Sequence, residues 1–184
     1  DEIARAAGVN KATLYYKVGD KDALYDAVLT MGIQRTADEV AALVAEASGP
    51  EEKVRRFIQA FALSIGEMRF AAPLMMREGA SGGSHLPDEA LAHMGRIVEL
   101  LRTALEEGVE AGIFRPVNPF ITHMLIVGSL MFYSANEPIR RRIAEKNMEQ
   151  FGPRDFSPDV DATEEVIDLV MASVRARGVQ SQEK

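Results

Sequence analysis

Residues 1–24 read DEIARAAGVNKATLYYKVGDKDAL, and this stretch decides the fold of the N-terminal part of the chain. Residues 1–7 predict a short helix, and Gly8 predicts a sharp turn because glycine adopts the positive φ that such a bend requires. Asn10 is a preferred helix N-cap, so a second short helix is expected over residues 11–17. Together these elements predict a helix-turn-helix.

The second helix of such a motif places its N-terminal residues in the DNA major groove, while the first helix crosses the backbone. Ala12 and Thr13 are slim enough to lie near the bases. Lys11 and the hydroxyls of Tyr15 and Tyr16 are within reach of phosphates, the groups that position a protein on a duplex. The alternative interpretation is a helical hairpin with solvated charges, in which the two tyrosines are ordinary half-buried aromatic residues.

At its fixed spacing the stretch resembles the DNA-binding domain of the TetR/AcrR family of transcriptional regulators. The matching pieces are Ala7-Gly8-Val9, Asn10, Lys11, Leu14-Tyr15-Tyr16, Gly19-Asp20-Lys21 and Leu24. The chain departs from the family pattern at Asn10, where Ser is commoner, at Lys17, where His or Asn is frequent, and at Val18, where Phe is usual. The family's first helix does not precede Asp1, so we expect the chain to begin inside the DNA-binding domain.

The resemblance implies that Thr13, Tyr15 and Tyr16 contact operator DNA and that two lysines contact phosphates. The predicted DNA-binding residues are Lys11, Ala12, Thr13, Tyr15, Tyr16 and Lys21. The resemblance also implies a DNA-binding domain over residues 1–32 and a helical ligand-binding and dimerisation domain over residues 33–184. The expected protein is a homodimeric repressor that a small apolar or aromatic effector releases from double-stranded operator DNA.

Composition excludes several other classes of protein. The 184 residues carry a net charge of −7, whereas a protein that coats nucleic acid non-specifically should be basic. The lack of cysteine excludes disulfides and thiolate metal sites, and it is compatible with the cytoplasmic location that we expect. The longest apolar run, residues 120–135, is shorter than the ~20 residues of a transmembrane helix, so no membrane association is expected.

An all-α fold is predicted for the remainder of the chain. Apolar residues recur at three- and four-residue steps, and the sequence shows neither a β-hairpin signal nor an internal repeat. Helix starts are predicted at Asp20, Pro50, Phe70, Pro87, Asn118 and Asp161. The segment 79–84 is rich in glycine and serine and is expected to be a flexible connector.

Two helices have the composition of a dimer interface. Residues 120–135 are apolar nearly all round, and Gly128 and Ser129 would permit close approach of another helix. The last helix also carries apolar residues on more than one side. The predicted interface residues of this two-fold four-helix arrangement are Leu125, Gly128, Ser129, Phe132, Ile167, Val170, Met171 and Val174. The alternative is that these helices are buried inside one monomer.

The sequence contains nine methionines, several of them on helices that also carry aromatic residues. Thioethers adapt to irregular shapes, so a lining of this kind would suit a bulky apolar or aromatic ligand. The predicted pocket residues are Phe57, Phe61, Met68, Met75, Met94, Ile97, Met131 and Tyr133. Possible polar anchors are Arg69, Arg77, Glu78 and His93. The alternative is an ordinary hydrophobic core.

Catalytic chemistry is not expected. The sequence has no cysteine nucleophile and no phosphate-binding glycine loop after a strand, and its three histidines are too scattered for a metal motif. One of them, His123, is expected to be a core or interface residue that is hydrogen-bonded to its surroundings. We therefore predict no enzyme activity, no metal site and no cofactor.

The alternative function is a helical dimeric module that binds a small molecule or a protein and no longer binds DNA. The net charge of −1 over residues 1–32 supports this alternative, and so does Val18, which leaves less volume to pack the small domain.

Overall fold

The computed structural model describes residues 2–68, 70–147 and 161–176 of the chain. The helices are α1 (Glu2–Ala6), α2 (Lys11–Val18), α3 (Lys21–Ala45), α4 (Pro50–Glu67), α5 (Ala71–Ala80), α6 (Asp88–Glu110), α7 (Pro119–Ala135), α8 (Glu137–Asn147) and α9 (Ala162–Val174). Within these ranges the β-structure is limited to one isolated bridge between Phe114 and Arg175. The all-α prediction is confirmed. None of the described helices is long and apolar enough to span a bilayer.

N-cap side chains and first-turn prolines account for the starts of five of the nine described helices. Four N-cap side chains accept hydrogen bonds from backbone amides of the first turn of α2, α3, α7 and α9; they are Asn10, Asp20, Asn118 and Asp161. Each of these side chains satisfies an amide that the helix itself leaves without a partner. Pro50 and Pro119 occupy first-turn positions, where the missing N–H costs no hydrogen bond.

The helical body is built around α3, which packs against both α4 and α6. Phe57 and Ile58 of α4, Leu101 of α6 and Ile126 of α7 are completely buried in the core between these helices. Helix α3 continues without a break from the helix-turn-helix into this core. The predicted boundary between residues 32 and 33 therefore falls inside one helix, and the division into two domains stays a prediction.

The burial of α9 contradicts half of the predicted dimer interface. Ile167, Val170, Met171 and Val174 are at most 1% exposed, because α9 packs them into the core of the same chain. Side chains enclosed in this way have no surface to present to a second chain, so their assignment to the interface was wrong. The end of α9 is held further by the backbone, since Val174 O accepts the N–H of Arg115 at 2.9 Å.

Candidate functional site

The turn between α1 and α2 is built by Gly8 and Asn10. Gly8 has a φ of +66°, which is the left-handed conformation expected for the turn of the motif. The side chain of Asn10 accepts the backbone N–H of Thr13 at 2.7 Å. At the far end, Gly19 has a φ of +93° and the chain then enters α3. Two glycine turns and one cap therefore hold α2 in place between its neighbours.

Five of the six predicted DNA-binding residues lie on α2, and Lys21 is the first residue of α3. Tyr16 is 91% exposed and Tyr15 is 51% exposed, and Lys11 Nζ lies 6.0 Å from the centroid of the Tyr15 ring. Ala12 and Lys21 are also exposed, while Thr13 is partly buried against its surroundings. Large aromatic side chains left open to solvent beside lysines form a surface that can contact phosphates and base edges.

A cavity of about 280 Å³ lies in the body between α3, α4, α5, α6 and α7. Six of the eight predicted pocket residues line it: Phe61, Met68, Met75, Met94, Ile97 and Met131. Phe57 is not among them, because it is completely buried behind Phe61 with the two rings stacked 6.3 Å apart. Tyr133 is also not among them, since its ring lies against the guanidinium of Arg140 at 3.4 Å. Their inclusion in the pocket was wrong.

Helix α3 contributes a wall of the cavity that was missing from the prediction. Leu29, Ile33 and Thr36 line the cavity from α3. The signal was present in the sequence, because these positions continue through Ala37 and Val40 as one buried stripe at three- and four-residue steps. The cavity therefore lies directly against the helix that begins in the helix-turn-helix.

The polar groups in the cavity wall come from Thr36, Ser64 and His123. The hydroxyls of Thr36 and Ser64 are 2.5 Å apart and pair with each other, and Thr36 also donates to the carbonyl of Gly32 at 3.1 Å. His123 is buried, and Nδ1 of its ring has no hydrogen-bond partner among the described residues. The sequence predicted a core or interface histidine that is hydrogen-bonded to its surroundings; the described part of the chain supplies the burial but no such bond to this nitrogen.

The environment of His123 keeps its imidazole neutral. Its ring packs edge-on against Phe57 and Phe61, with centroids 6.1 and 6.3 Å away. Burial in this apolar setting disfavours the charged form and lowers the pKa of His123 to about 4. The ring therefore presents one N–H donor and one nitrogen acceptor at neutral pH.

The predicted polar anchors do not line the cavity where the structure describes them. Arg69 lies outside the described residues, and Arg77 is exposed. Glu78 is buried, but its carboxylate accepts a hydrogen bond from the Tyr25 hydroxyl of α3 and lies 3.4 Å from Nδ1 of His85. The Tyr25 hydrogen bond lowers the pKa of Glu78. Nδ1 of His93 lies 3.3 Å from Nη1 of Arg96.

The remaining half of the predicted dimer interface forms an exposed face on α7. Leu125 is 48% exposed and Phe132 is 58% exposed, and Gly128 and Ser129 lie between them with their surfaces open. Ile121, one turn before Leu125, is 64% exposed and extends the same stripe. A run of apolar side chains along one open helix face is typical of a protein–protein contact.

Two protein families match this chain. Residues 1–28 match the family described as bacterial regulatory proteins, tetR family. Residues 50–155 match the family described as tetracyclin repressor-like, C-terminal domain. The two matches coincide with the helix-turn-helix and with most of the helical body.

Individual proteins with a similar sequence or fold are more distant. An uncharacterised HTH-type transcriptional regulator of Bacillus subtilis (strain 168), YhgD, is 24% identical over 131 residues, which are 69% of this chain and 66% of that protein. The chain thus spans slightly less than two thirds of that relative.

Two solved structures share the fold. A bacterial regulatory protein in the tetR family from Rhodococcus RHA1 has a TM-score of 0.70 and 16% identity, over 96% of this chain and 85% of that one. AibR in complex with isovaleryl coenzyme A and operator DNA has a TM-score of 0.60 and 19% identity, over 95% and 85%.

Proposed function

This chain belongs to the TetR family of bacterial regulatory proteins, and on that basis we propose that it is a ligand-responsive transcriptional regulator that binds operator DNA as a homodimer. We favour repression, because the family that its C-terminal part matches is described as repressor-like. In this proposal a small apolar or aromatic effector occupies the cavity and releases the protein from its operator. The exposed surface of α2 and Lys21 supplies the DNA contacts.

The observation that carries the proposal is the course of α3. The helix begins at Lys21 beside the proposed DNA surface, and the stretch from Leu29 to Thr36 lines the cavity. At 1.5 Å per residue, Lys21 and Thr36 are about 22 Å apart along one continuous helix. A ligand that displaces the cavity segment of α3 therefore displaces the helix-turn-helix as well.

Coupling between the two sites requires a difference in ligand affinity between two arrangements of α3. Typical coupling free energies are about 1–3 kcal/mol, which correspond to roughly 5- to 150-fold changes in DNA affinity. Because two helix-turn-helix units must fit successive major grooves, a small tilt of α3 in each chain changes the spacing that the operator reads. Paired spin labels on the two recognition helices would measure that spacing, and an unchanged spacing with bound effector would refute this mechanism.

A second chain is needed to present two helix-turn-helix units to a palindromic site. We propose that the exposed face of α7, centred on Leu125, Gly128, Ser129 and Phe132, forms the two-fold contact. Its apolar side chains would be removed from water, and Gly128 allows the two α7 helices to approach closely because it lacks a side chain. Leu169, which is 67% exposed, is an open apolar residue on α9, the helix that packs beside α7.

The test of DNA binding is fluorescence anisotropy with the full-length protein and labelled DNA from upstream of its own gene. Binding that is saturable and survives excess unrelated DNA at physiological salt is the expected result. Thr13→Ala should change which sequence is preferred, whereas Lys21→Ala should weaken binding on all sequences and reduce the salt dependence by about one charge. An identical, sequence-independent loss in both variants would contradict the assignment of base and phosphate roles.

The alternative is a helical dimer that binds its ligand but no longer binds DNA. The balance of charge over residues 1–32 favours it, since four basic side chains stand against five acidic ones. A folded dimer that binds a ligand in the cavity and fails to bind DNA from its own locus or from a random operator library would establish this alternative.

A further inference from the structure

We propose that His123 is the residue that selects the effector, and that the cavity takes an uncharged, largely apolar molecule carrying a hydroxyl group. This inference rests on the proposed function in one respect, since it treats the cavity as the effector site.

The unpaired polar group of the cavity wall is the first argument. Thr36 and Ser64 satisfy each other and the Gly32 carbonyl, whereas Nδ1 of the buried His123 has no partner in the described part of the chain. A buried polar group without a hydrogen bond costs free energy, so a native structure rarely leaves one without a reason. Nδ1 is enclosed within the wall, so a ligand that turns the His123 ring and supplies the missing hydrogen bond recovers this cost when it binds.

The charge of the cavity is the second argument. Among the described residues that line it, none is Asp, Glu, Lys or Arg. A carboxylate or ammonium group would therefore lose its hydration without meeting an opposite charge in that part of the wall. The methionines and Phe61 instead offer polarizable, apolar surface that suits rings and hydrocarbon chains.

The protonation state of His123 is the third argument, and it favours a hydroxyl over other neutral groups. The burial that lowers the pKa of His123 leaves an imidazole with one donor and one acceptor nitrogen. A hydroxyl both donates and accepts, so it pairs with whichever ring nitrogen faces it. A ketone can only accept, and it pairs with only one of the two tautomers.

The size of the cavity limits the scaffold that carries this hydroxyl. The volume of about 280 Å³ lies near the lower end of the range of small-molecule pockets. A compound of one or two rings fits such a volume, and a larger multi-ring compound would extend out of the open side of the cavity or require the walls to move apart.

The experiment compares three matched probes, naphthalene, 1-naphthol and 1-naphthoate, by isothermal titration calorimetry on the full-length protein without DNA. The wild-type protein should bind 1-naphthol about fivefold more tightly than naphthalene, the typical effect of one hydrogen bond. It should bind 1-naphthoate more weakly than either. In His123→Leu the preference for 1-naphthol over naphthalene should disappear, while naphthalene binding is retained.

Two further variants separate hydrogen bonding from the shape of the cavity. His123→Gln keeps a donor and an acceptor and should retain the preference for 1-naphthol. Met131→Leu changes an apolar part of the wall and should change both affinities together. Thermal unfolding checks that each variant is folded, and His123→Leu should be at least as stable as wild type because it removes an unsatisfied buried group.

Three results would overturn the inference: no binding of either neutral probe, a preference for 1-naphthol that persists in His123→Leu, or tighter binding of 1-naphthoate than of 1-naphthol. These outcomes are separate from a failure of the proposed function. A protein that shows the His123-dependent preference but does not bind DNA would retain this ligand site and lose the role in transcription. A protein that binds DNA but shows no such preference would do the reverse.

Discussion

Among the described glycines, Gly108 is the one at which an added methyl group should have the largest effect on the stability of the body. Gly108 lies in the last turns of α6, and the ring of Phe114 packs directly on it. A Cβ at this position would lie 2.7 Å from Cγ of Phe114 and closer still to Cδ2. The ring cannot easily withdraw, because the Gly108 carbonyl accepts the N–H groups of both Ile113 and Phe114 at 2.9 Å.

The magnitude follows from two opposing terms. Overpacking of a filled core costs about 1–3 kcal/mol, and expelling the 2%-exposed Phe114 ring instead would lose about 1.5–3 kcal/mol of burial. Alanine in place of a helical glycine returns about 0.5–1 kcal/mol. The difference between the two terms leads us to expect that Gly108→Ala lowers the free energy of unfolding by about 1–2 kcal/mol. At this chain length that corresponds to a decrease in Tm of about 2–8 °C.

The assay is thermal unfolding followed by far-UV circular dichroism, with Gly95→Ala as the matched control. Gly95 lies on the same helix, and a methyl group added there would meet no atom within 4 Å, so alanine should raise Tm by about 2 °C. The double variant Gly108→Ala, Phe114→Leu should recover part of the loss, since the two residues are in contact. If Gly108→Ala and Gly95→Ala raise Tm equally, the close packing of Phe114 on Gly108 is refuted.

Three further predictions concern the helix-turn-helix, the dimer and the acid limit of stability. Asn10→Ala removes the acceptor for the first turn of α2, so it should cost about 1 kcal/mol locally and weaken operator binding about fivefold; unchanged anisotropy titrations would show that the cap does not support DNA binding. Leu125→Asp places a charge on the exposed face of α7 and should yield monomers in sedimentation velocity, whereas an intact dimer would place the interface elsewhere. Tyr25→Phe removes the hydrogen bond that lowers the pKa of Glu78 from 4.5. The stability that this bond provides is present above pH 4.5 and is lost as the pH falls through the lowered pKa of Glu78. The Tm of Tyr25→Phe should therefore lie below that of the wild type at neutral pH and approach it in acid. A difference in Tm that is independent of pH would contradict the role of this hydrogen bond.

Local signals in the sequence were sufficient to predict most of the described helices and the turn of the helix-turn-helix. The helix-turn-helix, its Asn10 cap and the glycine at the turn were all predicted, as were the starts of α3, α4 and α7. These features depend on residues within one turn of each other, through a cap, a proline or a positive φ. One exception is α5, which continues to Ala80 where a connector was expected after Glu78.

Local signals could not predict which residues line the cavity. Phe57 and Phe61 lie one helical turn apart on α4 and both have apolar partners, yet only Phe61 faces the cavity. His123 of α7 packs against both rings, but Phe57 is completely enclosed by its neighbours whereas Phe61 borders the cavity. The spacing of residues along one helix does not determine where a neighbouring helix packs against it.

The sequence by itself determined the all-α class, the helix-turn-helix and the family, because these follow from short-range spacing that the chain carries wherever it folds. Only the tertiary structure decided which apolar faces are buried. It buried Ile167, Val170 and Met171 of α9 in the core of their own chain and left the face of α7 around Leu125 and Phe132 open, although both helices are apolar on more than one side. It also placed His123 in the wall of a cavity and left its Nδ1 without a partner among the residues that the structure describes. Burial and hydrogen-bond satisfaction are properties of the whole packed arrangement, since each depends on side chains that are remote in sequence.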